Sequence, residues 1–167
     1  PSSDDSDLGA LVSLSHRDKV ESYIQLAERE GGKILYGGKR PSLESPFDEG
    51  SFLEPTIVSN LDYQSRTATE EIFGPVVTLH KFEKDEDAVE MANCTDYGLA
   101  GSVWTSDSAR GKSLAEKIET GMVWINTWLH RDLRVPFGGV KNSGVGTEGG
   151  RWSLSFFSQP VNICVKE

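Results

Sequence analysis

Along this chain, apolar positions recur first at helical and then at strand spacing, and the alternation repeats. Val20, Tyr23, Ile24 and Ala27 share one helical face, with Ser15 before them as an N-cap, Asp18 three residues on, and Gly31-Gly32 as the stop. A short β-favouring stretch, Lys33 to Tyr36, follows, then a polar loop rich in Gly, Pro and Ser from Gly37 to Gly50. Phe52 to Val58 returns to apolar and β-branched residues, and Pro55 within it suits an edge or irregular strand.

The same order repeats downstream. The pattern predicts a strand over Val76 to Phe82, a helix over Asp85 to Asn93 and a strand over Leu99 to Thr105. Ser106 or Asp107 then caps a helix running through Ile118, with Leu114, Ala115 and Ile118 inward and Gly121 as its terminator. Met122 to Asn126 reads as another strand, Pro136 to Gly150 as a glycine-rich loop, and Val161 to Val165 as a last strand that pairs outside its own domain. Strand and helix units of this length predict an α/β layer architecture with a largely parallel sheet.

Composition narrows the class. With 167 residues, 37% hydrophobic and 26% charged, the chain suits one domain-sized core, which is less than a two-domain, cofactor-dependent enzyme uses. No apolar run approaches the ~18 residues of a membrane span. The start, Pro1 to Asp7, is polar and acidic, unlike a signal peptide, and its abruptness suggests a truncated chain. A net charge of -9 disfavours phosphate backbones and anionic lipid. Cys94 and Cys164 are far apart and show neither zinc nor redox-pair spacing, which points to a reducing, cytoplasmic setting. Asn93-Cys94-Thr95 matches a glycosylation acceptor, a pattern common by chance.

Several chemical motifs fail on context. Gly144-Val145-Gly146-Thr147-Glu148-Gly149 satisfies G-x-G-x-x-G, but that dinucleotide fingerprint needs a preceding strand, a helix opening from it and a later acid. A structural loop with positive-φ glycines fits better. Ser143 lacks the earlier glycine of a nucleophile elbow. His16, His80 and His130 have no ligand-spaced neighbours beyond Asp132, so no metal is expected. Cys94 and Cys164 read as packed thiols.

Two segments allow both a structural and a functional reading. In Glu70-Glu71-Ile72-Phe73-Gly74-Pro75, two carboxylates precede an aromatic and a rigid turn. This is either an acidic strand entry with Phe73 in the core, or a carboxylate for a ribose-like diol beside an aromatic for a planar ring. In Trp128 to Gly139, Arg131 and Arg134 lie among aromatics in a loop pinned by Pro136 and Gly138-Gly139. They either answer acids such as Asp132 at the surface or present a guanidinium to an anionic substrate group.

Taken together, Glu70 to Pro75, Asn93 with Tyr97-Gly98-Leu99-Ala100, Gly121 to Asn126, and Pro136 to Gly146 resemble the C-terminal signature of the aldehyde dehydrogenase superfamily along essentially the whole chain. The resemblance implies NAD as cofactor, with Glu71 on the nicotinamide ribose and Phe73 near the nicotinamide. It implies that Asn126 opens a substrate-entrance loop, with Trp128, Arg131 and Phe137 near the aldehyde pocket. Val161 to Val165 resembles the strand through which family members pair with a neighbouring subunit, so a homo-oligomer is expected. The division implied is a partial catalytic domain over 1–150 and an oligomerisation segment over 151–167.

Within the superfamily, Arg131-Asp132-Leu133-Arg134 before Pro-Phe-Gly-Gly, and Glu148-Gly149-Gly150 after it, are most similar to the 2-aminomuconic and 2-hydroxymuconic semialdehyde dehydrogenases. That branch implies a substrate carrying both an aldehyde and a carboxylate, bound through Arg131, with Arg134 in reserve. The family's cysteine nucleophile, general base and oxyanion-binding asparagine align upstream of this stretch. No catalytic residue is therefore assigned here, and the chain alone is expected to be inactive. Ser158-Gln159-Pro160 departs from the family pattern, and Pro160 removes a backbone donor beside the last strand. A non-catalytic binding protein and an enzyme for another aldehyde, such as retinal, are the alternatives.

Overall fold

The computed structural model describes residues 6–166. Of the polar start, Pro1 to Asp5 lie outside the described residues. The chain divides by internal contacts into a unit ending at Phe82 and a unit beginning at Glu83. No described helix is long and apolar enough to cross a membrane.

The first unit is a helix laid on a small mixed sheet. Helix α1 runs Leu14–Arg29 and is capped by Ser13, whose hydroxyl accepts the His16 N–H at 3.1 Å. The predicted cap at Ser15 is thus displaced: Ser13 has the extended backbone a cap needs, and Ser15 is already helical. Val20, Ile24 and Ala27 are buried as their spacing requires. So is Arg17, which donates to the Gly50 carbonyl at 2.7 Å. Strands β1 (Lys33–Tyr36), β2 (Thr56–Ser59) and β3 (Val76–Leu79) lie in that order, β1 antiparallel and β3 parallel to β2. Helix α2 (Arg66–Thr69) comes before β3. Val20, Ile24, Leu53 and Ile72 form one apolar cluster, and Ala27, Val58 and Leu61 another. Ile34 and Val76 pack against both.

Strand lengths fall short of the apolar runs. The run from Phe52 pairs only from Thr56, because Pro55 offers no N–H to a ladder. The run from Val76 stops pairing after Leu79.

The second unit contains α3 (Asp85–Asn93), β4 (Tyr97–Gly98), β5 (Ala100–Val103), α4 (Ser108–Ala115), β6 (Met122–Ile125), β7 (Val140–Lys141) and α5 (Gly150–Phe157). Helix α3 matches its expected bounds, with Asp85, Glu86 and Asp87 in its first turn, where the helix dipole favours negative charge. Asp107 caps α4 by accepting the Ala109 and Arg110 N–H groups at 2.9 and 3.0 Å. That helix ends at Ala115 rather than Ile118, capped at Glu116. Strands β5 and β6, joined through α4, pair in parallel, as the alternation of strands and helices predicts. The strand predicted from Leu99 to Thr105 is shorter, Ala100–Val103, and pairs with β6, while an unexpected strand just before it, Tyr97–Gly98, pairs antiparallel with β7.

One feature of the C-terminal region, a helix, differs from expectation. Helix α5 stands where only a departure from the family pattern was noted. Its cap residue, Gly149, has no side chain to advertise a helix start, and the Ser153 hydroxyl accepts the Gly149 N–H instead at 2.7 Å. Val161 to Val165 forms no strand in this chain, and Val161, Ile163 and Val165 are 78%, 82% and 81% exposed. An alternating apolar segment without a neighbouring strand has no ladder to join.

Candidate functional site

In the first unit the acidic turn separates its two carboxylates. Glu70 follows α2 and accepts a bidentate pair from Arg66 at 2.7 and 3.0 Å, plus the Tyr23 hydroxyl at 2.6 Å. The Arg66 guanidinium first, and then the Tyr23 hydroxyl, hold its carboxyl at about 2. Ile72 is buried in the core and anchors the turn. Glu71 and Phe73, on either side of it, point outward. Phe73 is 71% exposed, and the Glu71 carboxylate has no hydrogen-bond or ion-pair partner among the described residues. Of the two readings open in the sequence, a core position for Phe73 is therefore excluded.

This turn is fixed from behind by α1. Phe73 has φ +59°, unusual for an aromatic residue, and its carbonyl lies 2.6 Å from the His16 ring nitrogen, which donates to it. The His16 ring also meets Phe73 edge-on at 6.0 Å. Gly74 is pressed against Val20: a Cβ there would lie 2.6 Å from a Val20 methyl. Lys19 reaches the Glu71 carbonyl at 3.4 Å. His16 and Lys19 were missed as neighbours of this turn. Their three-residue spacing places both on one side of α1, the one signal that was available.

In the second unit, a cavity of about 510 Å3 opens beside β6, with Trp124, Arg131, Phe137 and Glu148 among its lining residues. Asn126, just after β6, has φ +55° and clasps Thr105 from both ends of its amide, accepting the N–H at 2.8 Å and donating to the carbonyl at 2.7 Å. The loop beyond carries Trp128, which meets Trp124 edge-on at 5.0 Å and lies off the cavity wall. Arg131 stacks on Phe137, its guanidinium carbon 4.0 Å from the ring centre. No carboxylate pairs with Arg131 among the described residues.

Its neighbour differs. Arg134 makes a fork onto Asp132, with contacts of 2.9, 3.1 and 2.5 Å. Each raises the other's tendency to stay charged: Asp132 is pulled below the usual carboxylate range by Arg134, and Arg134 is pushed up by Asp132. The structure thus brings Arg131 and Phe137 together in the second unit and Glu71 and Phe73 together in the first.

The glycine-rich loop braces this wall. Phe137 and Glu148 exchange backbone hydrogen bonds at 2.8 and 2.9 Å, and the Gly150 N–H donates to the Leu133 carbonyl at 2.9 Å. Gly146 and Gly149 have φ +84° and +95°, and a Cβ at Gly149 would lie 2.1 Å from the Val135 carbonyl oxygen. A helix does open after the G-x-G-x-x-G pattern, contrary to the sequence reading, but the strand before it has two residues and pairs antiparallel with β4. The glycines bring two loops into contact. Ser143 accepts the Gly98 N–H at 2.9 Å, Cys94 donates to the Met91 carbonyl at 3.1 Å, and His80 pairs with Thr78 at 3.1 Å.

A motif residue also proves to be a staple. The Asn93 amide donates to the Lys117 carbonyl and accepts the Glu119 N–H, both at 2.8 Å. Lys141 then joins the Asn93 and Thr95 carbonyls and the Glu119 carboxylate at 3.0, 3.1 and 2.9 Å.

Comparison with known proteins agrees with the motifs. The aldehyde dehydrogenase family profile matches residues 1–163. The chain is 43% identical over 166 residues to the 2-aminomuconic 6-semialdehyde dehydrogenase of a Pseudomonas species, covering 99% of this chain and 34% of that protein. It thus spans about a third of the length of the curated relatives it matches. Among solved structures, the aldehyde dehydrogenase of Mycobacterium tuberculosis complexed with NAD+ superposes with a TM-score of 0.88 at 40% identity, over 99% of this chain and 35% of that one. The betaine aldehyde dehydrogenase of Staphylococcus aureus in complex with NAD+ gives 0.87 at 41% identity, over 93% and 30%. Sequence, fold and motif order therefore converge: the chain belongs to the aldehyde dehydrogenase family.

Proposed function

We propose that this chain is the C-terminal part of an NAD-dependent dehydrogenase that oxidises a semialdehyde bearing a carboxylate, of the 2-aminomuconic semialdehyde type, to the corresponding acid. The observation that carries the substrate class is Arg131. It stacks on Phe137 at the cavity with no carboxylate partner among the described residues, whereas Arg134 is already neutralised by Asp132. A guanidinium in such a place suits a planar anion. It also disfavours a quaternary ammonium aldehyde, which argues against betaine aldehyde as the substrate.

The residues of the acidic turn fit the cofactor. Glu71 offers an unpartnered carboxylate to a ribose diol, and Phe73 an exposed aromatic face to a planar ring. NAD, when bound, accepts the hydride from the substrate carbon. Glu71 and Phe73 then serve to orient it, while Arg131 and Phe137, with Trp128 in the entrance loop, select and align the substrate. The cysteine nucleophile, the general base and the oxyanion donor belong to the upstream part of the enzyme, the acid being released when water hydrolyses a cysteine thioester and frees the thiol. We assign no catalytic residue within this chain and expect it to be inactive alone.

We further propose that residues 1–150 form part of the catalytic domain, and that 151–167 carry a segment that assembles subunits into a homo-oligomer through Val161 to Val165. The exposed, alternating side chains there support this reading. A reducing, cytoplasmic setting suits Cys94 and Cys164, neither of which is in a disulfide.

The test is to read the gene upstream of position 1, express the complete protein and follow NAD reduction with 2-aminomuconic semialdehyde and with a neutral aldehyde of similar size. Replacing Arg131 by Met is expected to raise KM for the first substrate at least about tenfold, as loss of a charged hydrogen bond does, and to spare the second. An unchanged KM for the semialdehyde rejects the substrate class.

A further inference from the structure

We infer that Trp124 is a positioning residue for substrate selection, setting Arg131 in place through the carbonyl of His130. Trp124 lies on β6, within a parallel pair, and its indole N–H donates to the His130 carbonyl at 2.8 Å. An indole nitrogen is a donor only, so the direction of this bond is unambiguous. The residue that follows the accepting carbonyl is Arg131. Side chain and carbonyl therefore close a loop whose exit is the guanidinium-bearing residue.

That loop needs an external anchor. It includes two residues at positive φ without being glycine, Asn126 at +55° and Leu129 at +56°, and Trp128, Leu129 and His130 are all exposed. Its near side is held by the Asn126 clasp on Thr105 and by Ser102, which donates to the Thr127 carbonyl at 3.1 Å. Its far side is held by the Asp132–Arg134 turn and the Gly150 contact with Leu133. Between Trp128 and Arg131, among the described residues, the bond from Trp124 is the hydrogen bond that ties the backbone to the sheet. The edge-on contact of Trp128 with the same indole adds a second hold on the loop. Freed of that bond, the His130–Arg131 peptide could rotate, and Arg131 would leave its place over Phe137 in a fraction of molecules.

This inference rests on the reading that Arg131 binds the substrate's carboxylate, and the experiment separates the two. In the complete enzyme, Trp124→Phe keeps an aromatic ring beside Trp128 and removes the N–H. The expected result is a rise in KM for the carboxylate-bearing semialdehyde of about fivefold, the size of one neutral hydrogen bond. Because Trp124 also lines the cavity, the deciding readout is the ratio of KM for the semialdehyde to KM for a neutral aldehyde of the same length, which should rise about fivefold, while KM for NAD stays within about twofold. Replacing Trp124 by β-(3-benzothienyl)alanine, which keeps the bicyclic shape and lacks the N–H, should reproduce the effect and guards against a packing fault in the phenylalanine variant. Arg131→Met is measured in parallel. If that variant loses the semialdehyde while both Trp124 variants bind it normally, the inference is overturned and the substrate reading stands. If Arg131→Met binds it normally, the substrate reading falls and the inference with it. Equal rises for the charged and neutral aldehydes mark Trp124 as ordinary packing and also overturn the inference.

Discussion

Val20 and Gly74 compete for the same space, and a double-mutant cycle measures it. A Cβ on Gly74 would sit 2.6 and 2.8 Å from the two Val20 methyls, well inside contact distance, while Val20 itself is fully buried. Gly74 is not at positive φ, so Gly74→Ala suffers from crowding and not from its own backbone. Overpacking of this kind costs about 2 kcal/mol. Val20→Ala removes two buried methyls, about 1.6 kcal/mol of transfer free energy, and leaves a partly unrelaxed cavity, for a total of about 2 kcal/mol. Independent effects would sum to about 4 kcal/mol, but in the double variant the new methyl occupies space that Val20 has vacated. The net loss is then one methyl, about 1 kcal/mol with its share of cavity. Hydrogen exchange of peptides covering α1 and the 70–79 segment in the complete protein reads these differences, each 1.4 kcal/mol being about tenfold in exchange rate. A double variant exchanging as fast as the product of the two single effects would refute the shared-space reasoning.

Acid should loosen the same unit through Glu70. Its carboxyl is depressed from 4.5 to about 2, so its contribution is fully present above pH 4.5 and is lost as pH falls toward 2. Far-UV circular dichroism against pH should show this loss in the parent and a flatter profile in Glu70→Gln; matching profiles would reject the linkage. Asn93→Ala removes two 2.8 Å bonds, and about 1–2 kcal/mol of local stability should go with them, seen as roughly tenfold faster exchange at the Glu119 amide. Unaltered exchange there would show that Asn93 is dispensable. Gly149→Ala forces a side chain into a φ 95°, ψ 133° backbone at about 1–3 kcal/mol, and against the Val135 carbonyl besides. It should raise KM for the semialdehyde while leaving KM for NAD unchanged, and a rise in both would place the damage elsewhere.

Strong periodicity made α1, α3 and β6 legible, since Val20, Ile24 and Ala27 can serve no purpose on a helix except burial of one face. The α4 cap was legible as local side-chain chemistry to within Ser106 or Asp107, and the structure uses Asp107. Helix α5 was not, because its start depends on the backbone geometry of Gly149 and on a hydroxyl four residues ahead. The short strand Tyr97–Gly98 was not legible either, because only a distant partner, Val140–Lys141, makes it a strand. Long-range partners also decided the acidic turn: two adjacent glutamates look alike in sequence, and only Tyr23 on α1, together with Arg66, marks Glu70 as the structural one. The engagement of Arg134 by Asp132 is local and was foreseen as one of two readings. The particular residues proposed for cofactor and substrate came from the family resemblance, because exposed groups such as Glu71 and Arg131 leave no trace in periodicity.

The residues that line the cavity fall within one uninterrupted stretch of chain, from Gly121 to Ser153, and those of the acidic turn lie well upstream. On the proposed reading, substrate choice is thus a transferable cassette. A single crossover pair between related genes, placed before Gly121 and after Ser153, would exchange the discriminating wall as one piece and leave Glu71 and Phe73 in their original context. Inheritance can then diversify which aldehyde is taken without renegotiating how the cofactor is held.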